Sequence, residues 1–404
     1  MTAPVFDPRD REALADPYPA YEVLRRDHPC YPVPGANLWV VSRYDDCVAV
    51  LRDHARFSST GGVGIDWDQK PMMPMYDPPQ HTRMRRMVAR YFTPRALASV
   101  QPSLERTVAA TLDRALDAGS VDFARDVAVP ISLGAIAALV GIPEERWGDL
   151  RRWSLGTVEA LPGGLDAEAR ARLDAQRREF VAYLKELLAE RRREGIDRGD
   201  IISSLVSAEE AERLEPHELV AFCVLLTVAG FETTANGMSN ALLALLGHPD
   251  EWAKLRADVG LAASAVEEAM RWDCPVQSFF RNTLVEATVA GTVIPPKAKV
   301  MVLFGSANRD ERRFEAPAEM RIERSPNDHI GFGAGVHYCL GAPLARLEIR
   351  LLLEELVRRR IEVTLEGEPR RSYSMLFRGV SAMPARLEVR GERVSAPSTP
   401  RSTR

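Results

Sequence analysis

The sequence has few cysteines, and they are far apart. There are five in 404 residues, none of them in a CxxC pair: Cys30, Cys47, Cys223, Cys274 and Cys339. The odd number and the wide spacing argue against a disulfide framework and against a clustered cysteine zinc site. In a reducing compartment we expect most of these side chains to be small buried hydrophobic groups.

The chain also lacks a basic start followed by an apolar run, so no secretory signal is predicted. Its longest uncharged apolar stretch, Leu219–Phe231, ends at Glu232 and is too short to span a bilayer. The net charge of -4 provides no reason to expect nucleic acid as a partner. These absences predict a soluble cytoplasmic protein that binds neither membrane nor nucleic acid.

Size and composition are those of an ordinary soluble protein, with 46% hydrophobic and 27% charged residues. The sequence has no internal repeat. It also has no linker segment that would separate two hydrophobic cores. We therefore predict one domain over residues 1–390. Ser, Thr, Pro and Arg dominate residues 391–404, which predicts a disordered tail.

Helical periodicity dominates from about Pro94 to Arg271, and short strand-like segments lie outside this range. The predicted long helices are Leu104–Leu116, Ala167–Arg193 and Glu215–Leu246. The other predicted elements are a strand at Leu38–Val41, a helix at Tyr44–Leu51, and strands at Ile361–Leu365 and Ala385–Val389. A hairpin joined by Pro295 and Pro296 is predicted between Thr288–Ile294 and Lys299–Leu303.

The segment Leu161–Leu165, with the sequence Leu-Pro-Gly-Gly-Leu, interrupts two helical stretches. It has two open interpretations. One is an ordinary connection between helices, and the other is a mobile lid over a pocket.

Cys339 lies in a glycine-rich loop, Gly331–Arg346, and an amphipathic helix is predicted from about Leu340. Glycine allows a backbone to approach a flat partner closely and to adopt positive φ. A cysteine just before a helix start lies in the positive field of backbone N–H groups. This field lowers the thiol pKa and favours the thiolate that iron binds. The alternative is a glycine-rich turn with a buried cysteine.

The ordered string Phe-Gly-x-Gly-x-His-x-Cys-x-Gly resembles the haem-ligand loop of the cytochrome P450 family. Its motif positions are occupied by Phe332, Gly333, Gly335, His337, Cys339 and Gly341. The resemblance implies a mainly α (α+β) cytochrome P450 fold, with a large helical domain around haem b and a smaller β-rich region. It implies that Cys339 is the axial thiolate, that Phe332 packs beside the sulfur and that His337 donates to a haem propionate. Backbone N–H groups near Leu340 and Gly341 would temper the charge on the sulfur.

The predicted helix Glu215–Leu246 carries Ala229-Gly-Phe-Glu-Thr-Thr234 in its middle. Glycine and two threonines are poor mid-helix residues, and a carboxylate between apolar turns is costly unless it is paired. The segment matches the family's Ala-Gly-x-acid-Thr pattern, which implies a local opening of the helix beside the haem at Ala229. Thr233 would hold O2 and an ordered water, and Glu232 would relay protons from solvent. The alternative is a helix with one partly buried salt bridge.

Glu268-Ala-Met-Arg271 places an acid and a base three residues apart on one helix face. Such spacing is common, and Glu267 with Arg271 would make an ordinary surface pair. In context the segment matches the Glu-x-x-Arg clamp of the family, which a later arginine completes in a structural network. Arg324 is the first candidate for that arginine, and Arg309 is the second.

The segment Asp77–Arg85 resembles the family segment that begins a helix over the haem. His81 and Arg85 would then face the two anionic propionates, with Arg281 as the third partner. The alternative for His81 alone is a helix N-terminal residue near a turn. Together the family motifs extend over about residues 77–386, in the family's order.

The residues expected to line a substrate pocket are mostly apolar. They are Val224, Leu225, Val228, Val276, Phe279 and Leu376, with the loop Gly62–Met75 and the segment Met375–Phe377 as further walls. The alternative for each of them is simply to fill the core. The helix face carries no arginine and no row of hydroxyl groups, which favours a neutral terpenoid, polyketide or similar metabolite. Pro275–Arg281 and Gly305–Arg309 are instead similar to a bacterial branch that demethylates methoxylated aromatic acids.

No flavin or iron–sulfur segment is present, so electrons must come from a separate ferredoxin with its reductase. A basic surface that steers acidic ferredoxins is expected behind Cys339, from Arg346, Arg350, Arg86 and Arg90; the alternative is a solvated helix face. The resemblance predicts a monooxygenase that inserts one atom of O2 into an apolar small molecule. The alternatives are O-demethylation of a methoxylated aromatic compound and, in a different class, a non-catalytic haem protein of a biosynthetic assembly.

Overall fold

Helices dominate the computed structural model of the chain, which describes residues 5–62, 64, 72–160, 166–196, 198–207 and 216–391. In chain order the α-helices of these residues are α1 (Arg11–Ala15), α2 (Tyr18–Asp27), α3 (Tyr44–Arg52), α4 (Gln80–Ala89), α5 (Pro94–Ala118), α6 (Val129–Val140), α7 (Trp147–Ala160), α8 (Ala167–Glu194), α9 (Ile201–Ser207), α10 (Pro216–Gly247), α11 (Pro249–Ala257), α12 (Ala262–Trp272), α13 (Phe304–Ala307) and α14 (Ala342–Arg358).

The predicted long helices are confirmed as α5, α8 and α10, although Glu215 lies outside the described residues. Their ends follow local chemistry. Thr93 caps α5 by accepting a hydrogen bond from the N–H of Ala96, and Asp166 caps α8 in the same way. The predicted short helix is confirmed as α3.

The strands form small sheets at the edges of the helical region. In chain order they are β1 (Cys30–Pro32), β2 (Leu38–Val41), β3 (Phe57–Ser58), β4 (Ser120–Asp122), β5 (Ser278–Thr283), β6 (Ala287–Val289), β7 (Thr292–Ile294), β8 (Lys299–Leu303), β9 (Ile361–Leu365), β10 (Arg370–Tyr373), β11 (Arg378–Ala382) and β12 (Pro384–Val389). The largest sheet has the order β1-β2-β8-β5-β3, in which only the β2–β8 pair is parallel. A second sheet has the order β4-β12-β9, and β10 pairs with β11.

The hairpin predicted across Pro295 and Pro296 is wrong. β6 and β7 pair with each other around Ala290 and Gly291, which both have positive φ, as two-residue hairpin turns require. The two prolines lack the N–H that a longer ladder would need. β8 therefore leaves the hairpin and pairs with β2 and β5 in the largest sheet.

α10 runs through the main hydrophobic core, where it packs against α6, α12 and α14. By length and composition alone, His217–Gly247 is apolar enough to cross a membrane, contrary to the prediction from its shorter uncharged stretch. However, 67% of its most apolar 18-residue stretch is buried inside the protein, as expected of a core helix.

Three predicted features lie wholly or mostly outside the described residues. They are the connection or lid at 161–165, most of the loop at 62–75 and nearly all of the tail at 391–404.

α12 carries a buried ion pair near its end. Arg271 donates from Nε and Nη2 to the carboxylate of Glu268, each over 2.8 Å, and neither side chain is exposed. Arg324 donates to the same carboxylate from Nε over 3.0 Å. Arg309 does not join this network, because its guanidinium stacks on Trp272 at 3.9 Å from the ring centroid. Of the two candidates for the third member, the geometry thus brings in Arg324.

Glu267 does not form the predicted pair with Arg271. Its carboxylate instead binds Arg346 of α14, at 2.6 Å from Nε and 2.8 Å from Nη2. Neighbouring helix residues point about 100° apart, so Glu267 and Glu268 face different parts of the molecule. α12 is consequently tied both to the segment before Cys339 and to the helix after it.

We expect Glu268→Ala to lower the free energy of unfolding by about 3–5 kcal/mol, because it leaves the buried guanidinium of Arg271 without its counter-ion. The matched control is Glu362→Ala, which removes a partly exposed ion pair with Arg256 and should cost at most about 1 kcal/mol. Chemical denaturation followed by circular dichroism measures both losses. Equal losses in the two variants would contradict a stabilising role of the buried network.

Candidate functional site

A cavity separates α10 from the loop that carries Cys339. Its described lining is mostly apolar, with a few polar side chains: His81, Arg85, Glu232, Thr233, Thr234, Asn236, Arg281, His337 and Cys339. The cationic and imidazole groups come from α4, β5 and the cysteine loop, whereas the carboxylic acid and the hydroxyl groups come from α10. The cavity therefore brings together side chains that the sequence motifs predict for one site.

Glycines shape the loop that presents Cys339 to the cavity. Gly333 and Gly335 both have positive φ, which other residues rarely adopt. A Cβ atom on Gly335 would lie 2.7 Å from the carbonyl oxygen of Leu51, so the close approach also requires glycine. The N–H of Cys339 donates to the carbonyl of Phe332 over 2.9 Å. The loop thus folds Phe332 back onto the cysteine.

Cys339 lies deep in the protein, and its exposed surface faces the cavity. Burial raises the pKa of its thiol, while the N–H groups of Gly341 and Ala342 and the charges of Arg85 and Arg346 act to lower it. The net rise contradicts the lowered pKa predicted from the helix start. The physical reason is that loss of hydration at the sulfur outweighs the field of the helix start.

The other four cysteines do not line the cavity within the described part of the chain. All four are buried, and burial raises the pKa of Cys30, Cys223 and Cys274 to about 12 and that of Cys47 well above its usual value. The prediction that they are small buried groups is confirmed.

His81, Arg85, Arg281 and His337 lie together at one edge of the cavity. The ring centroids of the two histidines are 4.1 Å apart, and Nε2 of His337 is 3.1 Å from the hydroxyl of Ser59. Burial, followed by the charge of the nearby arginines, lowers the pKa of His81 to about 4 and that of His337 to about 2. Both imidazoles are therefore neutral donors at neutral pH, beside two permanent cations.

Haem fits this set of donors. Arg281 is buried, yet the one hydrogen bond of its side chain among the described residues goes to the carbonyl of Phe280 over 2.8 Å. Nδ1 of His81 is also buried without a partner. Buried cations and donors that face a cavity require anions. A flat apolar ring with two carboxylates would supply those anions and place its apolar faces between α10 and Cys339.

Ala229, Glu232 and Thr233 face the same cavity from α10. The predicted local opening is wrong for this structure, because α10 is a continuous α-helix and the Thr233 hydroxyl donates to the Ala229 carbonyl over 2.6 Å. Glu232 forms no ion pair within the described residues, and its Oε2 is buried without a partner. Burial raises the pKa of Glu232 to about 7. The alternative of a partly buried salt bridge is not supported.

The cavity includes four of the six predicted pocket residues, namely Leu225, Val228, Val276 and Phe279. Val224 is not among the lining residues; it packs in the main core because it points about 100° away from Leu225. Leu376 is fully buried in a second hydrophobic cluster, on the largest sheet. Its neighbour Phe377 forms a β-bridge with Val276 and takes the cavity side instead.

Several lining residues were not indicated by the sequence: Leu51, Phe92, Ile136, Asn236, Phe304, Leu344 and Ile349. Apart from Leu344 and Ile349, which both lie on α14, they come from different elements, so no single periodic pattern relates them all. Asn236 is the exception, since it lies three residues after Thr233 on the same helix face. In the described end of the loop 62–75, Met72, Met73 and Met75 line the cavity, as predicted.

Comparisons with known proteins agree on one family. A family model described as cytochrome P450 matches residues 164–387. The chain is 37% identical to the cytochrome P450 monooxygenase PikC of Streptomyces venezuelae over 93% of this chain and 92% of the relative. It is also 37% identical to the vitamin D(3) 25-hydroxylase of Pseudonocardia autotrophica, over 92% and 94% of the two chains.

Solved structures give the same result for the fold. The crystal structure of CalO2 is 35% identical in sequence and superposes with a TM-score of 0.88, covering 97% of this chain and 100% of that one. This agreement confirms the predicted mainly α cytochrome P450 fold with its small sheets. The chain therefore belongs to the cytochrome P450 family and is a haem-dependent cytochrome P450 monooxygenase.

Proposed function

We propose that this monooxygenase inserts one atom of O2 into a neutral, apolar small molecule, such as a terpenoid or a polyketide. Its electrons would come from a separate ferredoxin with its reductase in the cytoplasm. The observation that carries the proposal is the apolar cavity between α10 and Cys339, with Glu232 and Thr233 facing it. Substrate and acid–alcohol pair would thus meet on one side of the cavity, and the cofactor-binding groups on the other.

In the proposed arrangement the protein holds haem by its iron and by its two propionates. Bound haem supplies the iron at which O2 is activated. Cys339 would bind that iron through its sulfur, with the N–H groups of Gly341 and Ala342 tempering the sulfur's charge. The propionates would take the unpartnered Nδ1 of His81 and the guanidinium of Arg281, together with Arg85 and His337. Phe332 and Gly333 would complete the wall beside the sulfur.

Thr233 is proposed to position a water molecule in the cavity, and Glu232 is proposed to supply protons. The Thr233 hydroxyl gives its hydrogen to the Ala229 carbonyl, which leaves its oxygen free to accept a hydrogen bond from a water in the cavity. Glu232 is buried without an ion pair, and its pKa of about 7 allows it to gain and lose a proton near neutral pH. The pair therefore combines a fixed acceptor with a group that can exchange protons.

A neutral substrate is supported by the distribution of charge. Among the described lining residues, Arg85 and Arg281 are the only permanent cations, and both are assigned to the propionates. The polar residues Gln277 and Ser278 of the segment that is similar to demethylases of aromatic acids do not line the cavity, because both are buried elsewhere. The N–H of Gln277 donates to Leu376, and the Ser278 hydroxyl donates to the carbonyl of Met375. The named activity of the vitamin D(3) 25-hydroxylase also concerns a largely apolar molecule.

We propose a ferredoxin-binding surface with fewer free arginines than the sequence predicts. Arg346 is already bound by Glu267, and Arg350 is bound by Glu354 over 2.9 Å. Arg86 is exposed on α4, next to Arg85, whose charge acts on the Cys339 sulfur. Exposed cations on α4 are thus the best-supported part of a surface that steers an acidic partner.

We expect Cys339→Ser to abolish the thiolate-type absorption of the reduced carbon monoxide complex, because a hydroxyl does not replace a thiolate as iron ligand. Cys47→Ser is the matched control, since the Cys47 thiol only donates to the carbonyls of Val41 and Leu303, which a hydroxyl can also do. Absorption spectra of the two reconstituted variants measure the difference. A thiolate-type spectrum in Cys339→Ser would refute the assignment of this ligand.

We expect Thr233→Ala to consume electrons and O2 while product formation falls by on the order of 10–100-fold, because the proton-positioning hydroxyl is lost. Thr227→Ala is the matched control. Its hydroxyl makes the same bond to a carbonyl four residues earlier, over 2.8 Å, but it is buried away from the cavity. Product formed per NAD(P)H consumed is the measurement, and full coupling in Thr233→Ala would contradict the proposed role.

The substrate class can be tested with matched pairs of compounds, each pair comprising a neutral apolar molecule and its carboxylate derivative. We expect the neutral member to bind at least about 100-fold more tightly, because an unpaired carboxylate in an apolar cavity costs several kcal/mol. Titration of the low-spin to high-spin shift of the haem measures both affinities. Tighter binding of a methoxylated aromatic carboxylate would instead support the demethylase alternative.

A further inference from the structure

Arg346 is held inside a network on the protein side of the cysteine loop. Its guanidinium forms two hydrogen bonds to Glu267, over 2.6 and 2.8 Å, and a third to the Tyr338 hydroxyl over 2.9 Å. It also stacks on Phe332, with its central carbon 4.3 Å from the ring centroid. Five donor hydrogens in a planar fork suit this combination of bidentate pairing and stacking, which lysine could not reproduce.

Phe332 connects this network to Cys339. Its carbonyl accepts the N–H of Cys339 over 2.9 Å, and its ring lies between the guanidinium and the cavity that it lines. The guanidinium is thus one stacked ring away from the cysteine backbone. Because the Arg346 side chain is only 32% exposed, its charge is incompletely screened by water.

Glu267 is fixed from a second direction. Nδ1 of His329 accepts the N–H of Gly331 over 3.1 Å, so its Nε2 carries the hydrogen and donates to Glu267 over 3.1 Å. Burial acts to raise the pKa of Glu267, but the hydrogen bonds from His329 and Arg346 outweigh it and hold the pKa at about 2. One carboxylate and one guanidinium, opposite in charge, are therefore fixed side by side behind the cysteine loop.

We propose that the Glu267–Arg346 pair is a positioning unit that sets the reduction potential of the haem iron by fixing a cation on the Phe332 ring. The inference rests on the proposed function, in which Cys339 binds the iron. One-electron reduction adds one negative charge to the iron site, and the electron comes from ferredoxin in function or from dithionite in a titration. A fixed cation stabilises the reduced form, and a fixed carboxylate opposes it.

The two charges consequently predict shifts of opposite sign. Arg346→Gln removes the cation and leaves the carboxylate, so the potential should fall. Glu267→Gln removes the carboxylate and leaves the cation, so the potential should rise. Arg346→Lys keeps the charge but loses the planar fork, and it should shift the potential by less than half as much as Arg346→Gln. A role limited to packing would not produce opposite signs from two neutral replacements.

The experiment is a spectroelectrochemical titration of the haem-loaded, full-length protein without ferredoxin. We expect each glutamine variant to change the equilibrium constant for reduction by three- to tenfold in its own direction, where tenfold corresponds to about 59 mV for one electron. Arg350→Gln and Glu354→Gln are matched controls, because they remove a similar ion pair one turn further along α14 that does not contact Phe332. Their potentials should remain at the wild-type value.

The carbon monoxide spectrum of the wild type distinguishes a failure of this inference from a failure of the proposed function. A thiolate-type spectrum with potentials that do not move, or that move in the same direction in both glutamine variants, overturns the inference and leaves the proposed function standing. The absence of a thiolate-type spectrum in the wild type overturns the proposed function and, with it, the inference. Equal shifts in Arg346→Lys and Arg346→Gln also overturn it, because charge would then not be the cause.

Discussion

The buried carboxylate of Glu268 is the contact on which the position of the cavity wall depends. It accepts hydrogen bonds from Arg271 and Arg324, from the Asn327 amide and from the backbone N–H of Arg321. A carboxylate without exposed surface is tolerated only when its charge and lone pairs are satisfied in this way. Three of the four partners lie in the segment that leads into the cysteine loop. The Glu268 carboxylate, whose charge these partners balance, therefore also fixes the position of the segment from which the cysteine loop begins.

The cavity combines a site for an anionic cofactor with a site for a neutral substrate, and burial accounts for both. Loss of hydration raises the pKa of Glu232 and lowers the pKa of His81 and His337, so all three shifts favour the neutral form. Among the described lining residues, the permanent charge that remains is that of Arg85 and Arg281 at one edge. An anionic group is thus attracted to that edge, while the region under α10 is left for an apolar molecule.

Much of the fold and of the site could be predicted because the decisive signals are local. Asp166 caps α8 by accepting a hydrogen bond from the N–H of Ala169, only three residues later, and Gly333 and Gly335 are glycines because the loop backbone there has positive φ. The predicted opening of α10 is wrong although the residues of the motif face the cavity. A threonine hydroxyl can satisfy the Ala229 carbonyl within an intact helical turn, and the residue types do not reveal which of the two arrangements the helix adopts.

The sequence by itself determined the long helices, the identity of the cavity cysteine and the presence of an acid beside an alcohol on one helix, since periodicity and motif spacing depend on neighbouring residues. Tertiary structure alone decided that Glu267 binds Arg346 rather than Arg271, that Leu376 faces away from the cavity and that burial outweighs the helix start at Cys339. These outcomes depend on partners distant along the chain and on the loss of water during packing, and neither is encoded in any local pattern of residues.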